Sequence, residues 1–224
     1  MPSPSAMNWE RHQTGAGSYC QWPNETMVKV LFGSYLASTR KPVAGDRVLD
    51  IGCGAGQNLL PFAACGCEVF GVELTQGMIE HTRSALAERG ISATLAVGTN
   101  RAIPFPDESF EFLLSVNSIH YENNLAHYRA ALKEYARVLR QGGKLFICTT
   151  GPNHEIRAKA TRLDEFSHRI ADYDFRNGEV MTYMPDETRF RDFLGETFSD
   201  VEIGRTTEKL MTRTLDYLVA VATK

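Results

Sequence analysis

The sequence predicts an α/β fold, a doubly wound, mostly parallel sheet with helices on both faces and a C-terminal antiparallel hairpin at one edge. Three observations predict it. Short apolar, β-branched segments alternate with helical patterns, a glycine-rich loop follows the first such segment, and two extended segments close the chain. With 224 residues the chain is long enough for one substantial core. We therefore expect a single domain over residues 1–224.

Five segments have the composition of buried parallel strands. Each is short and apolar, and turn or helix-forming residues flank it. Helices are expected to fill the gaps between them. The five segments are Arg47–Ile51, Glu68–Glu73, Ala93–Val97, Phe110–Ser115 and Lys144–Thr149.

Two crossover helices are predicted between these strands. The first spans Gln76–Arg89, with Thr75 as its N-cap and Gly90 where a left-handed residue ends a helix. In the second, apolar residues recur at three- and four-residue spacing until Gly142-Gly143 ends the pattern. Those recurring residues are Leu125, Tyr128, Leu132, Tyr135 and Leu139.

The ends of the chain depart from this alternation. Val201–Arg205 and Leu215–Val221 are extended segments joined by polar residues, which predicts the edge hairpin. Residues 1–42 are rich in aromatic and turn residues, Trp9, Tyr19 and Trp22 among them, and are expected to form a helical, aromatic cap. Residues 151–185 are expected to form a substrate lid inserted after the fifth strand.

The composition gives no indication of a nucleic-acid or membrane partner. A formal net charge of −3, with 23% charged and 43% hydrophobic residues, lacks the basic excess of a nucleic-acid-binding surface. No apolar run approaches the roughly 18 residues that span a bilayer, and the N-terminus lacks a basic region followed by an apolar one. We expect a cytoplasmic protein, and no pattern in the chain indicates its oligomeric state.

The cysteines predict neither a disulfide framework nor a metal site. There are five of them, and Cys53, Cys65 and Cys148 fall within predicted core elements, where a free thiol behaves as a small hydrophobe. Cys65-Gly-Cys67 lacks the second Cys/His pair that a zinc site needs. We therefore expect no metal.

A glycine-rich loop joins the first strand to the helix that begins at Gln57. Its sequence is Gly52-Cys-Gly-Ala-Gly56, and it follows Asp50-Ile51 directly. Glycines at alternate positions let the backbone turn sharply and approach a ligand, while the helix N-terminus offers free amide donors. Dinucleotide, flavin and nucleotide sites all use such loops, so the loop alone does not identify the ligand.

Two acidic residues narrow the choice of ligand. Glu73 ends the second strand, 19 residues after Gly54, where its carboxylate can accept both hydroxyls of a ribose. That placement also fits NAD. Asp50, however, would repel a pyrophosphate and attract an ammonium or a sulfonium. S-adenosylmethionine carries both cations and no phosphate, and the spacing G-x-G-x-G differs from the G-x-G-x-x-G of dinucleotide sites.

Four motifs in order then resemble one family. Val48–Gly56 resembles the first motif of the class I S-adenosylmethionine-dependent methyltransferases, a Rossmann-like family. Ile103–Phe110, Ser115–Tyr121 and Val138–Lys144 are similar to stretches around that family's fourth and fifth strands. Together the motifs cover roughly residues 45 to 150, and ordered matches of this kind are jointly specific.

The resemblance implies a set of cofactor-binding residues. Those in and after the glycine loop would surround the methionine moiety, Glu73 would bind the ribose, and the start of the next helix would flank the adenine. One position departs from the family, because Thr99 stands where many members have an aspartate for the adenine amino group. The predicted set is Asp50, Gly52, Cys53, Gly54, Gly56, Asn58, Glu73, Leu74, Thr75, Met78, Thr99, Asn100 and Asn117.

Methyl transfer from a sulfonium is a direct displacement, which an enzyme accelerates chiefly by alignment in a dry pocket. A protonated oxygen acceptor would also benefit from a base, and His120 and His154 are the candidates, although each is as readily explained as a packed histidine. Asn117-Ser-Ile-His120 replaces the Asn/Asp-Pro-Pro-Tyr/Phe motif of adenine and glutamine methylation. We expect an O, N or S atom of a small molecule as acceptor.

Two alternatives remain open from the sequence. An NAD(P)-dependent oxidoreductase shares the predicted sheet, although Asp50 and the glycine spacing disfavour it. A non-catalytic protein that binds the cofactor to regulate a partner would also fit, since Thr99 shows that not every familiar position is kept.

Overall fold

The computed structural model describes residues 4–15, 22–36 and 40–224. Within these ranges there are seven α-helices: α1 Pro4–Thr14, α2 Glu25–Leu31, α3 Leu60–Ala64, α4 Gln76–Ala87, α5 Leu125–Val138, α6 Glu155–Ala158 and α7 Glu187–Gly195. The strands of the central sheet are β1 Arg47–Ile51, β2 Glu68–Glu73, β3 Thr94–Val97, β4 Phe110–Val116, β5 Leu139–Thr150, β9 Ser199–Leu210 and β10 Arg213–Thr223. None of the described helices is long and apolar enough to cross a membrane.

The central sheet has the strand order β3-β2-β1-β4-β5-β10-β9. The first five strands are parallel, so their carboxyl ends meet at one edge, where Asp50 of β1 pairs with Gly71 of β2 and Leu114 of β4. β10 lies antiparallel between β5 and β9. The predicted mostly parallel sheet with a C-terminal antiparallel hairpin is confirmed.

Helices cover both faces of the sheet, as predicted. On one face α5 and α7 bury aromatic and aliphatic side chains against the sheet, among them Tyr128, Tyr135, Phe190 and Leu194. On the other face α2, the turn Gln57–Leu59, α3 and α4 contribute Met27, Leu31, Leu59, Phe62 and Leu86 to a second core. Burial of these apolar side chains is the main contribution that stabilises such a fold.

The structure differs from the predicted elements between β3 and β4, where a loop over residues 98–109 replaces the expected helix. Arg137 of α5 organises this loop by donating to the carbonyl oxygens of Ile103 and Phe105 at 2.9 and 3.0 Å. β5 is also longer than predicted and begins at Leu139. Its extension is paired at the C-terminus, where the Gly142 amide donates to the Lys224 carbonyl at 3.0 Å.

Residues 151–185 hold α6 and a separate antiparallel sheet of three strands in the order β6-β7-β8. These strands are β6 Ala160–Arg162, β7 Ser167–Ile170 and β8 Val180–Thr182. A small core of Ile156, Ile170, Tyr173, Met181 and Tyr183 holds this insertion together. Its predicted role as a substrate lid stays a prediction.

Gly56→Ala is expected to destabilise the protein by about 2–4 kcal/mol, since two costs combine. Gly56 has a φ of 78°, which disfavours any residue with a Cβ. A Cβ there would also lie 2.7 Å from Cδ2 of Leu86 in α4. Urea unfolding measures the change. Gly90→Ala is the control, because Gly90 has a φ of 70° but open space around an added Cβ. It should lose only the stability that depends on the positive φ.

Candidate active site

The glycine loop is fixed at the carboxyl ends of β1 and β2. The amides of Gly52 and Cys53 both donate to the Val72 carbonyl, at 2.9 and 3.3 Å. Beyond Gly56 the chain forms a short 3-10 turn, Gln57–Leu59, before α3, so the predicted helix begins with this turn. The loop therefore wraps around the end of the sheet with its glycine Cα atoms close to neighbouring elements.

Asp50 is a buried carboxylate without a hydrogen-bond partner in the described part of the chain. It is 1% exposed, and neither carboxylate oxygen meets a donor in hydrogen-bond geometry. Burial raises its pKa to about 8 and the nearby Glu73 adds to the rise, whereas the adjacent Asn58 side chain, which lies outside hydrogen-bond geometry, lowers it. A buried, unpaired acid of this kind needs a cation to ionise at neutral pH.

Glu73 closes the glycine loop from the end of β2. One carboxylate oxygen accepts from the Gly54 amide at 2.7 Å, and the other accepts from the Leu74 amide at 3.1 Å. Burial raises the pKa of Glu73 to about 7, against the lowering effect of these two bonds. Because each carboxylate oxygen has a further lone pair, Glu73 can still accept hydrogen bonds from a ligand.

These two acids fit S-adenosylmethionine. The ligand's ammonium and sulfonium would neutralise the unpaired Asp50, and its ribose hydroxyls would donate to Glu73. A dinucleotide would instead bring a pyrophosphate beside these two carboxyl groups. Their pKa values are already raised, and a neighbouring anion would oppose their ionisation further.

The segment after β2 holds the residues that were predicted to flank the adenine of the cofactor. Thr75 caps α4 by accepting from the Met78 amide at 3.2 Å, which confirms the predicted N-cap. Met78 is buried, whereas Leu74 is partly exposed at the surface beside Glu73. Whether these three residues contact a cofactor stays a prediction.

Cys53 and Asn58 are buried and hold neighbouring elements to the loop. The Cys53 thiol lies 3.9 Å from the Thr82 hydroxyl of α4, and burial raises its pKa. The Asn58 side-chain oxygen accepts from the Asn24 amide at 2.9 Å and so joins the start of α2 to the loop. These contacts hold α4 and the start of α2 against the loop.

Thr99, Asn100 and Asn117 lie at the same edge of the sheet. Asn100 is held on both sides, because its amide nitrogen donates to Glu122 at 3.2 Å and its oxygen accepts from Ser118 at 3.1 Å. Thr99 forms a small bridge with Ala102. Asn117 has a φ of 55°, a left-handed conformation at the turn that leaves β4. Their predicted contacts with the cofactor remain predictions.

His120 lies between the ends of β4 and β5. Its Nδ1 is 3.2 Å from the Thr149 hydroxyl, and the ring is 2% exposed. The neighbouring Thr150 hydroxyl is buried without a partner among the described residues. Burial lowers the pKa of His120 to about 3, with smaller contributions from His154 and Arg176, so the ring is neutral at pH 7.

His154 begins α6, where its Nδ1 accepts from the Ile156 amide at 3.2 Å. Its ring packs edge-on against Tyr217, and burial lowers its pKa to about 4. His154 therefore has a structural role as a helix cap. Its predicted catalytic role is untested.

The described cysteines are all free thiols. Cys65 is exposed, while the Cys67 thiol donates to the Val43 carbonyl at 3.3 Å. Across the described ranges, no three His, Cys, Asp or Glu side chains come together in a group able to hold a metal ion.

The sequence did not identify how α1 covers this site. The Gln13 side chain lies over Gly54, and Glu10 accepts from the Thr75 hydroxyl. The ring of Trp9 packs edge-on against Tyr121 and Phe175, with centroids 5.0 and 4.9 Å away. The aromatic content of residues 1–42 predicted a cap, but not these contacts. Trp22 is largely exposed, and Tyr19 lies outside the described residues.

Comparison with known proteins agrees with this geometry. A family model described as a methyltransferase domain matches residues 48–143. The uncharacterized methyltransferase YcgJ of Bacillus subtilis (strain 168) is 37% identical over 129 residues, 57% of this chain and 47% of that protein. The aklanonic acid methyltransferase DauC of Streptomyces sp. (strain C5) is 37% identical over 118 residues, 50% of this chain and 52% of that protein. The chain thus spans about half the length of these relatives.

One solved structure is similar along almost the whole chain. The N-methyltransferase NodS from Bradyrhizobium japonicum, in complex with S-adenosyl-L-homocysteine, superposes with a TM-score of 0.69 at 16% identity, covering 99% of both chains. At this identity the likeness shows a shared fold. The comparisons thus show a methyltransferase domain over residues 48–143, on a fold that the chain shares with a solved methyltransferase.

Proposed function

We propose that the protein transfers the methyl group of S-adenosylmethionine to an oxygen, nitrogen or sulfur atom of a small-molecule acceptor. The observation that carries the proposal is the buried, unpartnered carboxylate of Asp50 beside the glycine loop. The name of the aklanonic acid methyltransferase supports a small molecule as acceptor. A net charge of −3 gives no support to a nucleic-acid substrate.

Asp50 and Glu73 would bind two different polar groups of the ligand. Asp50 would bind the ammonium of the methionine moiety, and Glu73 would accept from the ribose hydroxyls. Thr75 to Met78 would flank the adenine, with Thr99 or Asn100 near its amino group. When bound, S-adenosylmethionine supplies an electrophilic methyl group on a sulfonium.

The contribution of the protein to the reaction is alignment and exclusion of water. We propose that α1 and the insertion 151–185 enclose the acceptor above the carboxyl ends of the strands. Trp9 of α1 contacts Phe175 of the insertion and also Tyr121, which follows β4. These contacts would form an aromatic wall on the acceptor side of the site.

His120 is the first candidate for a base, with His154 the second. Both rings are neutral at pH 7 and can accept a proton, but their lowered pKa values make them weak bases. His120→Asn is therefore expected to reduce turnover modestly, and to do so only with an acceptor that must lose a proton in the reaction.

Acceptor-dependent formation of S-adenosylhomocysteine tests the proposed function. A panel of phenols, carboxylic acids, amines and thiols is incubated with the protein and S-adenosylmethionine, and product is compared with a sample without acceptor. Turnover that rises with one acceptor class and is lost in Asp50→Ala is expected. Binding of S-adenosylhomocysteine with no turnover on any class would instead favour the non-catalytic alternative.

A further inference from the structure

A turn of the insertion places a positive charge at the acceptor side of the site. The 3-10 turn Asp174–Arg176 lies between β7 and β8, and its Phe175 ring stacks on His12 of α1 at 3.8 Å between centroids. The same ring contacts Trp9. Because α1 also covers the glycine loop, this turn and the glycine loop contact the same helix. Asp174 has a φ of 51°, an uncommon backbone conformation that recurs at functional sites.

Arg176 is largely withdrawn from solvent. Its side chain is 24% exposed, and its guanidinium lies over the rings of Tyr173 and Phe175, 4.7 and 5.3 Å from their centroids. A guanidinium binds well to aromatic faces because it is planar and weakly hydrated. The rings therefore fix its position. Burial would lower the pKa of Arg176, but the nearby Tyr121 and Asp174 outweigh burial and raise it.

The charge of Arg176 is incompletely neutralised. Among the described residues its ion-pair partner is its sequence neighbour Asp174, at 3.4 Å to each of two nitrogens, and that carboxylate is 53% exposed. Arg205, in contrast, donates to the fully buried Asp216 at 2.7 and 3.0 Å. A long contact to an exposed carboxylate is screened by solvent and leaves the guanidinium able to bind a second anion.

The surroundings of Arg176 add positive charge. Lys159 and Arg213 both face the Tyr173 ring, at 5.4 and 5.3 Å from its centroid. Glu155 neutralises Arg213 by an ion pair. After burial, the charge of Arg176 is among the smaller causes that lower the pKa values of His120 and His154.

We propose that Arg176 binds the anionic group of the acceptor, and that the acceptor is a planar aromatic acid, a carboxylate or an acidic phenol. The inference rests on the proposed function. The aromatic wall of Trp9, Tyr121 and Phe175 would pack on the planar part of the acceptor, while the guanidinium would bind its oxygens. Arg176 is thus a specificity residue and not part of cofactor binding.

The test compares 2-naphthoate with 2-naphthamide, which has nearly the same shape and no charge. Calorimetric titrations are made with and without saturating S-adenosylhomocysteine on wild type, Arg176→Gln, Arg176→Lys and Arg169→Gln. Arg169 is an exposed arginine on β7 of the same insertion, so its replacement removes the same charge away from the site. Wild type is expected to bind the acid at least about tenfold more tightly than the amide.

Arg176→Gln should abolish that preference by weakening the acid alone, Arg176→Lys should keep part of it, and Arg169→Gln should keep all of it. Affinity for S-adenosylhomocysteine should be the same in all four proteins. Equal affinity of wild type for acid and amide, no binding of either, or a preference that survives in Arg176→Gln would overturn the inference. If wild type does not bind S-adenosylhomocysteine, the proposed function is overturned. The titrations made without that ligand would still decide whether Arg176 binds the acid.

Discussion

Asp50→Asn is expected to stabilise the cofactor-free protein by about 1–2 kcal/mol at pH 8 while weakening S-adenosylmethionine binding by about 100-fold or more. The carboxylate is buried and has no hydrogen-bond partner among the described residues, so its charge opposes folding. The same charge would pair with the ammonium of the ligand. An amide has nearly the same shape, removes the buried charge and cannot form that ion pair. Urea unfolding and calorimetric titration measure the two effects.

The stabilisation should depend on pH in a defined direction. The pKa of Asp50 rises from its ordinary 3.8 to about 8 in the folded protein. The penalty is therefore absent below pH 4, grows as the pH rises towards 8 and is complete above it. The stability gained by Asp50→Asn should follow the same course, small at pH 4 and largest at pH 8 to 9. A variant less stable than wild type at every pH would contradict this account of Asp50.

Asp46→Asn is the matched control. Asp46 is also buried and lies four residues earlier, but its carboxylate accepts from both terminal nitrogens of Arg40 at 2.8 and 2.6 Å. Burial alone would raise its pKa, yet the bonds from Arg40 and the Val43 amide hold that pKa below its ordinary value. This replacement should destabilise the protein and leave cofactor affinity unchanged, which is the opposite pattern to Asp50→Asn.

Asp216→Ala should destabilise the protein by about 2–4 kcal/mol, because it removes a buried acceptor that several donors share. Asp216 of β10 is 0% exposed, and its carboxylate accepts from Arg205, from the Thr207 hydroxyl at 2.7 Å and from the Asn153 amide at 2.8 Å. The last bond ties the start of the insertion to the central sheet. Urea unfolding measures the loss, and amide exchange of residues 151–158 should accelerate with it.

The stability that Asp216 contributes should be lost in acid. Burial would raise its pKa, but the bonds from Arg205, Thr207 and Asn153 outweigh burial and hold the pKa below its ordinary 3.8. The contribution is thus complete above pH 4 and disappears as the pH falls through the lowered folded pKa. Glu208→Ala, at an exposed acid on β9, is the control and should change stability by less than about 0.5 kcal/mol. A similar effect of both variants would contradict the role of Asp216.

The parts of the fold that depend on local patterns were predictable from the sequence. β1 and β2 have the bounds predicted for them, because each is a short buried run between turn residues. The loop between β3 and β4 was not predictable, since its order comes from Arg137 of α5, some thirty residues later. The three short strands of the insertion likewise depend on packing among distant residues such as Ile156 and Met181.

The same distinction applies to the site. The sequence placed Asp50 and Glu73 beside the glycine loop because the carboxyl ends of parallel strands meet at one edge of the sheet, and their contact with a cofactor stays a prediction. The cover that α1 forms over the glycine loop rests on contacts across some forty to 165 residues, which no local pattern reveals. The sequence did not single out Arg176 for the same reason, because its aromatic neighbours and its long contact to an exposed carboxylate appear only in the folded chain.

Calorimetric titration with S-adenosylhomocysteine, S-adenosylmethionine and NADH, repeated near pH 7 in buffers of different ionisation enthalpy, tests the central claim most directly. Asp50 is largely protonated at that pH without ligand and must ionise to pair with an ammonium. We expect micromolar binding of both adenosyl ligands with release of protons, a smaller proton release in Asp50→Asn, and no binding of NADH. Binding of NADH, or no binding of either adenosyl ligand, would contradict the account.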